Sequence, residues 1–347
     1  MQLLSFSSIF VSLSILLISY FSFSFSRNST MPTLTAVRAA NAAFNRSYTP
    51  VAIIVGGTSG IGQGIAEAFA RHTKGNAHIV IVGRNRAAAD AIIAQLPKPA
   101  PESSTTTTAQ YKYTHEFVQC DVTLMKNVES VTQALLAQIP KINFLVMSPG
   151  FLSMKGHDET VEGIDRKLAV HYYARWKFVE GLLPALRSAK EAGEDAKVLS
   201  VLAAGKGADI DLEDLGLKKR YSVANAGLTT PTYNDLMLQE FAEKNPALTF
   251  VHSYPGVVRT GLASKSETGF IRAGSSLITA LVYPFSTSYQ DCGEYMLHGL
   301  LNSKQGFSRV GSLGEDIGMK RYFGSVEARK KLWDHTVEAT KVSSLNS

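Results

Sequence analysis

The sequence predicts an α/β protein of Rossmann type, a doubly wound parallel sheet with helices on both faces. Three observations predict it. Val51-Ala-Ile-Ile-Val55 is a short apolar run that stops at Gly56 and, past Gly60 and Gly62, restarts as an alanine-rich helical pattern. A strand that breaks on glycine and resumes as a helix builds an anion site, because the glycines let backbone approach a phosphate and the helix start presents unpaired N–H groups. Further apolar strand-like runs alternate with helical stretches at His78–Val82, His115–Cys120, Ile142–Met147, Val198–Leu202 and Leu248–His252, the alternation of a parallel sheet. A length of 347 residues, 45% of them hydrophobic, suits one large α/β domain with appendages.

Composition narrows the function classes. The net charge is +6, and the basic residues are scattered, in runs of no more than three such as Lys218-Lys219-Arg220. There is no basic stripe for nucleic acid, whereas a small positive excess suits a polyanionic cofactor and a small-molecule substrate. Cys120 and Cys292 have no metal-ligand spacing and read as two thiols, one in a strand and one in a helix. No metal is expected.

The front end is read separately. Residues 1–26 form an apolar segment whose uncharged stretch 3–25 is long enough for a membrane span, which takes about 20 residues. Arg27, Arg38 and Arg46 follow it, which favours a cytosolic domain on a single span, for example in the endoplasmic reticulum membrane. A signal peptide is the alternative, with Asn28-Ser-Thr and Asn45-Arg-Ser as lumenal glycosylation acceptors. A start at Met31 would leave the segment out and give a cytoplasmic protein. Residues 27–49 read as a linker with a short helix near Leu34–Phe44, 50–312 as the dinucleotide-binding domain and 313–347 as a C-terminal helical tail.

Within the domain, Ile61–His72 is the helix after the glycine turn, and Gly83-Arg84-Asn85-Arg86 closes the next strand. An acidic residue there would take a ribose 2′-hydroxyl, whereas arginine accommodates a 2′-phosphate. Arg84 and Arg86 stand there without an acid, so NADP (NADPH) is favoured. The Pro/Ser/Thr tract Pro97–Thr108 is expected to be a surface loop. Asp121 either accepts from an adenine amino group or caps the helix Leu124–Gln138. Ile142–Met147, closed by Ser148-Pro149-Gly150, is the floor under the cofactor. Thr160–Arg187 reads as one long helix in two sections, and Thr230-Pro-Thr as turn chemistry opening the helix that ends at Phe241. Residues 261–285 read as a flexible substrate lid.

With Gly56-x-x-x-Gly60-x-Gly62, Arg84, Asp121-Val122, Pro149-Gly150, Tyr233, Pro255-Gly256 and Thr260 in this order, the chain resembles the short-chain dehydrogenase/reductase family over roughly residues 50–310. The resemblance implies a sheet order of 3-2-1-4-5-6-7. It implies cofactor contacts from Gly56, Ser59, Gly60, Ile61, Gly62, Arg84, Asp121, Gly150, Pro255 and Thr260, and a homo-oligomer formed through the Tyr233 helix. The family's catalytic set is Asn, Ser, Tyr and Lys, with Lys four residues after Tyr lowering a phenol pKa that is ordinarily about 10. Here Met237 follows Tyr233 by four. Leu202 holds the serine position with Ser200 one pleat earlier, and His171 holds the asparagine position. Tyr221 has Asn225 four later, and Lys206, Lys218 or Lys219 are candidate cations from outside the helix. The implied function is NADP-dependent interconversion of a carbonyl and a secondary alcohol on an apolar molecule of lipid or secondary metabolism, with Tyr233 as proton donor aided by Ser200 or His171. The alternative is an NADP-binding sensor or scaffold without turnover.

Overall fold

The computed structural model describes residues 31–99 and 115–342. Seven strands form one sheet: β1 (Val51–Val55), β2 (His78–Gly83), β3 (Glu116–Gln119), β4 (Phe144–Met147), β5 (Lys197–Val201), β6 (Thr249–Ser253) and β9 (Gly306–Val310). Their spatial order is β3-β2-β1-β4-β5-β6-β9, and every pairing is parallel. The two-residue strands β7 (Val258–Arg259) and β8 (Thr287–Ser288) pair apart from the sheet, so the seventh sheet strand is the ninth in the chain. The expected order is the observed one. Ile54 sits opposite Ile81 on one side and Val146 on the other. The chain thus leaves β1 toward β2 and returns across it to β4, opening the crevice at the carboxyl ends of β1 and β4.

The apolar runs are explained by burial on both faces. Ile53, Val55, Leu145 and Met147 face a core with Trp176 and Phe241. Their neighbours Ala52, Ile54 and Val146 face the opposite core with Ile65, Phe69 and Leu297, the period of two that a pleated strand imposes. Both cysteines are free and buried.

Three expectations need correction. Residues 31–49 are more than a linker, because α1 (Leu34–Ala42) buries Val37 and Asn41. Asn41 Nδ2 donates at 2.8 Å to Glu294 Oε2 on helix α10 (Tyr289–Asn302). The predicted tail is part of the core: helix α11 (Val326–Ala339) lays Trp333 edge-on against Phe241, with ring centroids 4.8 Å apart, and Tyr172 Oη lies 2.6 Å from Thr336 Oγ1. That helix covers α7 (Val223–Lys244), the element expected to pair with a second copy, with Arg329 3.1 Å from Glu240. The third correction concerns α7 itself, which begins two turns before Thr230 and carries Pro231 inside it. No helix among the described residues is long and apolar enough to cross a membrane. The apolar stretch 3–25 and residues 100–108 of the Pro/Ser/Thr tract lie outside the described residues.

Glu294 is the clasp of the amino-terminal helix. Its side chain is 1% exposed and lies 2.8 Å from both Arg71 and His72. Burial opposes its ionisation, but the hydrogen bonds from His72, Asn41 and Arg71 outweigh it and hold the carboxyl at about 2. A depressed folded-state pKa gives stability that is present above the unfolded value, about 4.3, and lost as pH falls toward the folded one. Glu294→Gln is therefore expected to cost about 1–3 kcal/mol at neutral pH. In urea titrations the gap to wild type should shrink as pH falls from 5 toward 2. A gap constant across that window would show that the carboxylate charge plays no part.

Candidate active site

The crevice is built around glycines that no larger residue can replace. Gly56 ends β1 with φ +82°, and a methyl group there would lie 2.7 Å from Pro149 N. At Gly62 a methyl would lie 2.4 Å from Ser148 Oγ and 2.5 Å from Gly56 O. Only hydrogen fits, so the first turn of α2 (Gly60–His72) sits against the exit of β4. Ser59 precedes that helix, exposed, and its side chain caps nothing. The α2 amides and this hydroxyl are left for an anion. Ile61 opens the helix and packs on the core, and Thr260 Cγ2 comes within 3.2 Å of a methyl built on Gly60. The Pro255 carbonyl accepts a weak 3.8 Å bond from Cys292 Sγ on α10.

The residues expected at the adenosine end follow β2 and β3. Arg84 follows β2, exposed, and makes no ion pair among the described residues. Arg86 is engaged instead, 4.0 Å from Asp90 and 4.8 Å above the Phe117 ring. Asp121 does not cap α4 (Met125–Gln138), whose N-cap residue is Leu124 and whose first amides donate to Glu162; its Oδ1 instead closes a local turn, accepting from Thr123 N at 3.0 Å and Thr123 Oγ1 at 2.8 Å.

The predicted catalytic residues fare differently. Tyr233 is fully buried, packs 5.0 Å from the Tyr172 ring and donates its hydroxyl proton to Leu215 O at 2.9 Å. Burial drives its phenol far above the ordinary range. It is a core residue and cannot meet a substrate. Met237 is buried beside it. Ser200 is also fully buried and already matched, accepting from Arg175 at 2.6 Å and donating to Asn234 Oδ1 at 2.7 Å. His171 does reach the site: its Nε2 lies 3.7 Å from a methyl built on Gly150. Burial, and then the Arg175 and Lys167 cations, push the imidazole down to about 3, so it is a neutral hydrogen-bonding group there. It stands in a π-turn, Ala169–Tyr173, between α5 (Arg166–Leu168) and α6 (Ala174–Glu191). Such turns recur where a helix must aim side chains at a site.

Two residues that sequence reasoning left out complete the site. Arg175 is 1% exposed, and its guanidinium donates to Met147 O, Pro149 O and Val201 O at 3.3, 2.7 and 2.9 Å. It pins the ends of β4 and β5, with burial pulling its pKa down to about 9. The other is Lys167, one helical turn before His171. Its Nζ donates to Tyr221 Oη at 2.8 Å, and to Lys155 O at 2.8 Å in the loop that leaves Gly150. Tyr221 stands just before Ser222, whose side chain caps α7. The His157 ring packs edge-on 5.1 Å from Tyr221. Burial, then the Asp165 carboxylate, push the Tyr221 phenol up to about 12. A donating ammonium at its oxygen works the other way. Lys206, Lys218 and Lys219 do not take this place: Lys206 lies over the Tyr254 ring, Lys218 reaches toward Glu159, and Lys219 binds Glu213 O.

Residues 50–269 match the model of the short chain dehydrogenase family. The chain belongs to that family. An oxidoreductase of Emericella nidulans is 36% identical over 76% of this chain and 74% of its own. The polyprenol dehydrogenase of Homo sapiens is 24% identical over 60% of this chain and 61% of its own. Among solved structures, an RhlG/NADP active-site complex of Pseudomonas aeruginosa aligns with a TM-score of 0.53 at 15% identity, over 77% of this chain and 96% of that one, a likeness of fold. The chain is thus a short-chain dehydrogenase/reductase with a Rossmann fold and an oxidoreductase by family.

Proposed function

We propose that the protein is an NADP-dependent oxidoreductase that interconverts a carbonyl and a secondary alcohol on an apolar small molecule, with Tyr221 as proton donor and Lys167 as its cationic partner. The observation that carries this is the 2.8 Å contact from Lys167 Nζ to Tyr221 Oη beside the loop leaving Gly150. It restores, from a different helix, the cation that Asn225 fails to supply four residues after Tyr221. The alternative, a sensor or scaffold without turnover, rested on Met237, Leu202 and His171 standing at polar catalytic positions, and the Lys167 contact with Tyr221 weighs against it.

The residues fit the cofactor. The crevice walls at Gly56 and Gly62 leave no room for a methyl, the Ser59 side chain caps nothing and can meet a pyrophosphate with the α2 amides, and Arg84, after β2 where the adenosine ribose would lie, has no anionic partner among the described residues. When bound, the nicotinamide gives or takes the hydride. Tyr221 Oη gives its proton to the substrate oxygen during reduction, and Lys167 stabilises the phenolate that remains. His171, neutral beside Gly150, can hold a water or the substrate oxygen. An apolar substrate is supported by the lid: α8 (Gly269–Ala273) and α9 (Ser275–Val282) bury no residue, and Phe270 and Leu281 are 68% and 61% exposed. The name of the polyprenol dehydrogenase relative points the same way.

NADPH consumption against a panel of apolar ketones and aldehydes tests the activity, and absence of turnover with every one would count against it. For the cofactor, Arg84→Ala should weaken NADPH binding about 10–100-fold, the worth of one or two charge-assisted hydrogen bonds, and leave NADH binding unchanged. Equal weakening of both cofactors in a fluorescence titration would remove Arg84 from the 2′-phosphate.

A further inference from the structure

The turn that carries Lys167 is tied to the root of the lid. Lys167 Nζ has three acceptors: Tyr221 Oη at 2.8 Å, Lys155 O at 2.8 Å and Gly156 O at 3.4 Å. The last two belong to an irregular loop that Ser266-Glu267-Thr268 grips at three points. Ser266 Oγ donates to Leu152 O at 2.9 Å, and Met154 N donates to Thr268 Oγ1 at 2.8 Å. The Glu267 carboxylate takes a bidentate fork from Arg166, at 2.7 and 3.2 Å, with Lys155 Nζ 3.8 Å away. Arg166 is the chain neighbour of Lys167 and also holds Asp158 at 3.0 Å. Asp165 closes the same turn, accepting from Lys167 N at 2.9 Å and Asp158 N at 3.1 Å.

A lysine side chain is a compact charge on a flexible four-carbon stem and loses much rotamer freedom when fixed. One bond to a phenol is a weak reason for it to stay. The two loop carbonyls supply the rest, and they are only as well placed as the loop that bears them. Resting on the Tyr221–Lys167 reading above, we infer that Glu267 and Arg166 are positioning residues: the clip at 266–268 holds the 152–158 loop so that Lys167 stays on Tyr221. Seating the lid and completing the proton-donating pair are then one event, and an unclipped lid leaves Tyr221 without its cation. Glu267 reaches the loop directly only through Lys155 at 3.8 Å, and its bidentate fork acts through Arg166, which also holds Asp158 of the loop; such pairs add geometric specificity to charge.

The test reads the Tyr221 hydroxyl directly and needs no substrate. Full-length protein carrying tyrosine labelled with carbon-13 at Cζ gives one signal that Tyr221→Phe removes, and that signal senses the donor on its oxygen. Lys167→Met should move it, and Glu267→Gln should move it in the same direction. Thr268→Val, which removes only the acceptor of Met154 N, should do so more weakly and serves if Glu267→Gln fails to fold. Glu267→Gln should add nothing in the Lys167→Met background. With a carbonyl substrate in hand, Glu267→Gln should lower kcat about three- to tenfold in the wild type and leave it unchanged in Lys167→Met, the mark of coupled residues. If Lys167→Met moves the signal and neither lid variant does, the clip has no hold on the lysine and the inference falls while the pair stands. If none of the three moves it, the pair itself is wrong and both readings fall.

Discussion

Tyr221→Phe is expected to reduce turnover about 10²–10⁴-fold, the range a positioned general acid contributes, with NADPH affinity little changed. The phenylalanine keeps the packing against the His157 ring and loses only the hydroxyl that Lys167 holds at 2.8 Å. Tyr233→Phe is the matched control. It removes a buried hydrogen bond to Leu215 O, worth about 1–2 kcal/mol of stability, and should leave turnover essentially unchanged. Steady-state NADPH oxidation and urea unfolding of both variants separate the two roles. Tyr221 loses rate and keeps stability, while Tyr233 does the reverse. A Tyr221→Phe protein that turns over as fast as Tyr233→Phe would remove the Tyr221 hydroxyl from the proton transfer.

Lys167→Met should lower turnover about 10²-fold, comparable with removing one preorganised donor from a site of developing negative charge. Its pH dependence has a definite sign. Burial and Asp165 push the Tyr221 phenol up to about 12, so the acid form needed for carbonyl reduction is present at neutral pH. Alcohol oxidation needs the phenolate, which the ammonium favours, and its rate should rise with pH. Removing the ammonium should carry the oxidation profile to still higher pH and leave the reduction profile flat through neutrality. Burial also pulls the Lys167 ammonium below its usual range, so its help fades earlier on the alkaline side than that of an exposed lysine. Measuring kcat/KM for oxidation against pH in both proteins checks this. An unshifted profile would show that Lys167 does not act on the phenol.

The fold was written in the chain because its signals are local. A β-branched run buried on both faces reads as a strand from sequence alone, and the glycines at 56 and 62 mark a close approach that any side chain would block. The reading of Arg84 uses the same kind of signal, since it rests on distance along the chain from the glycine turn. The proposed proton-donating pair was not legible this way. Pro231 looks like the first residue of a helix, which put Tyr233 in the first turn and made Met237 the residue in the lysine's place. The structure instead starts α7 after Ser222, whose hydroxyl accepts from Asn225 N at 2.9 Å, and runs it through Pro231. That shift buries Tyr233 and leaves Tyr221 half-buried just before the helix, where Lys167 reaches it. Lys167 was hidden for a different reason. It lies on another helix, and only the tertiary fold brings it to Tyr221. The one available hint was its spacing, four residues before His171 and therefore on the same helical face.

The central claim is that a lysine from the neighbouring helix does what the residue four after Tyr221 cannot. Kinetics of Lys167→Met beside the double variant Lys167→Met/Asn225→Lys test it most directly. The single variant should be slow, and the second substitution, which places an ammonium one turn after Tyr221 on α7, should recover most of the lost turnover. A Lys167→Met protein that oxidises NADPH as fast as the wild type would contradict the account.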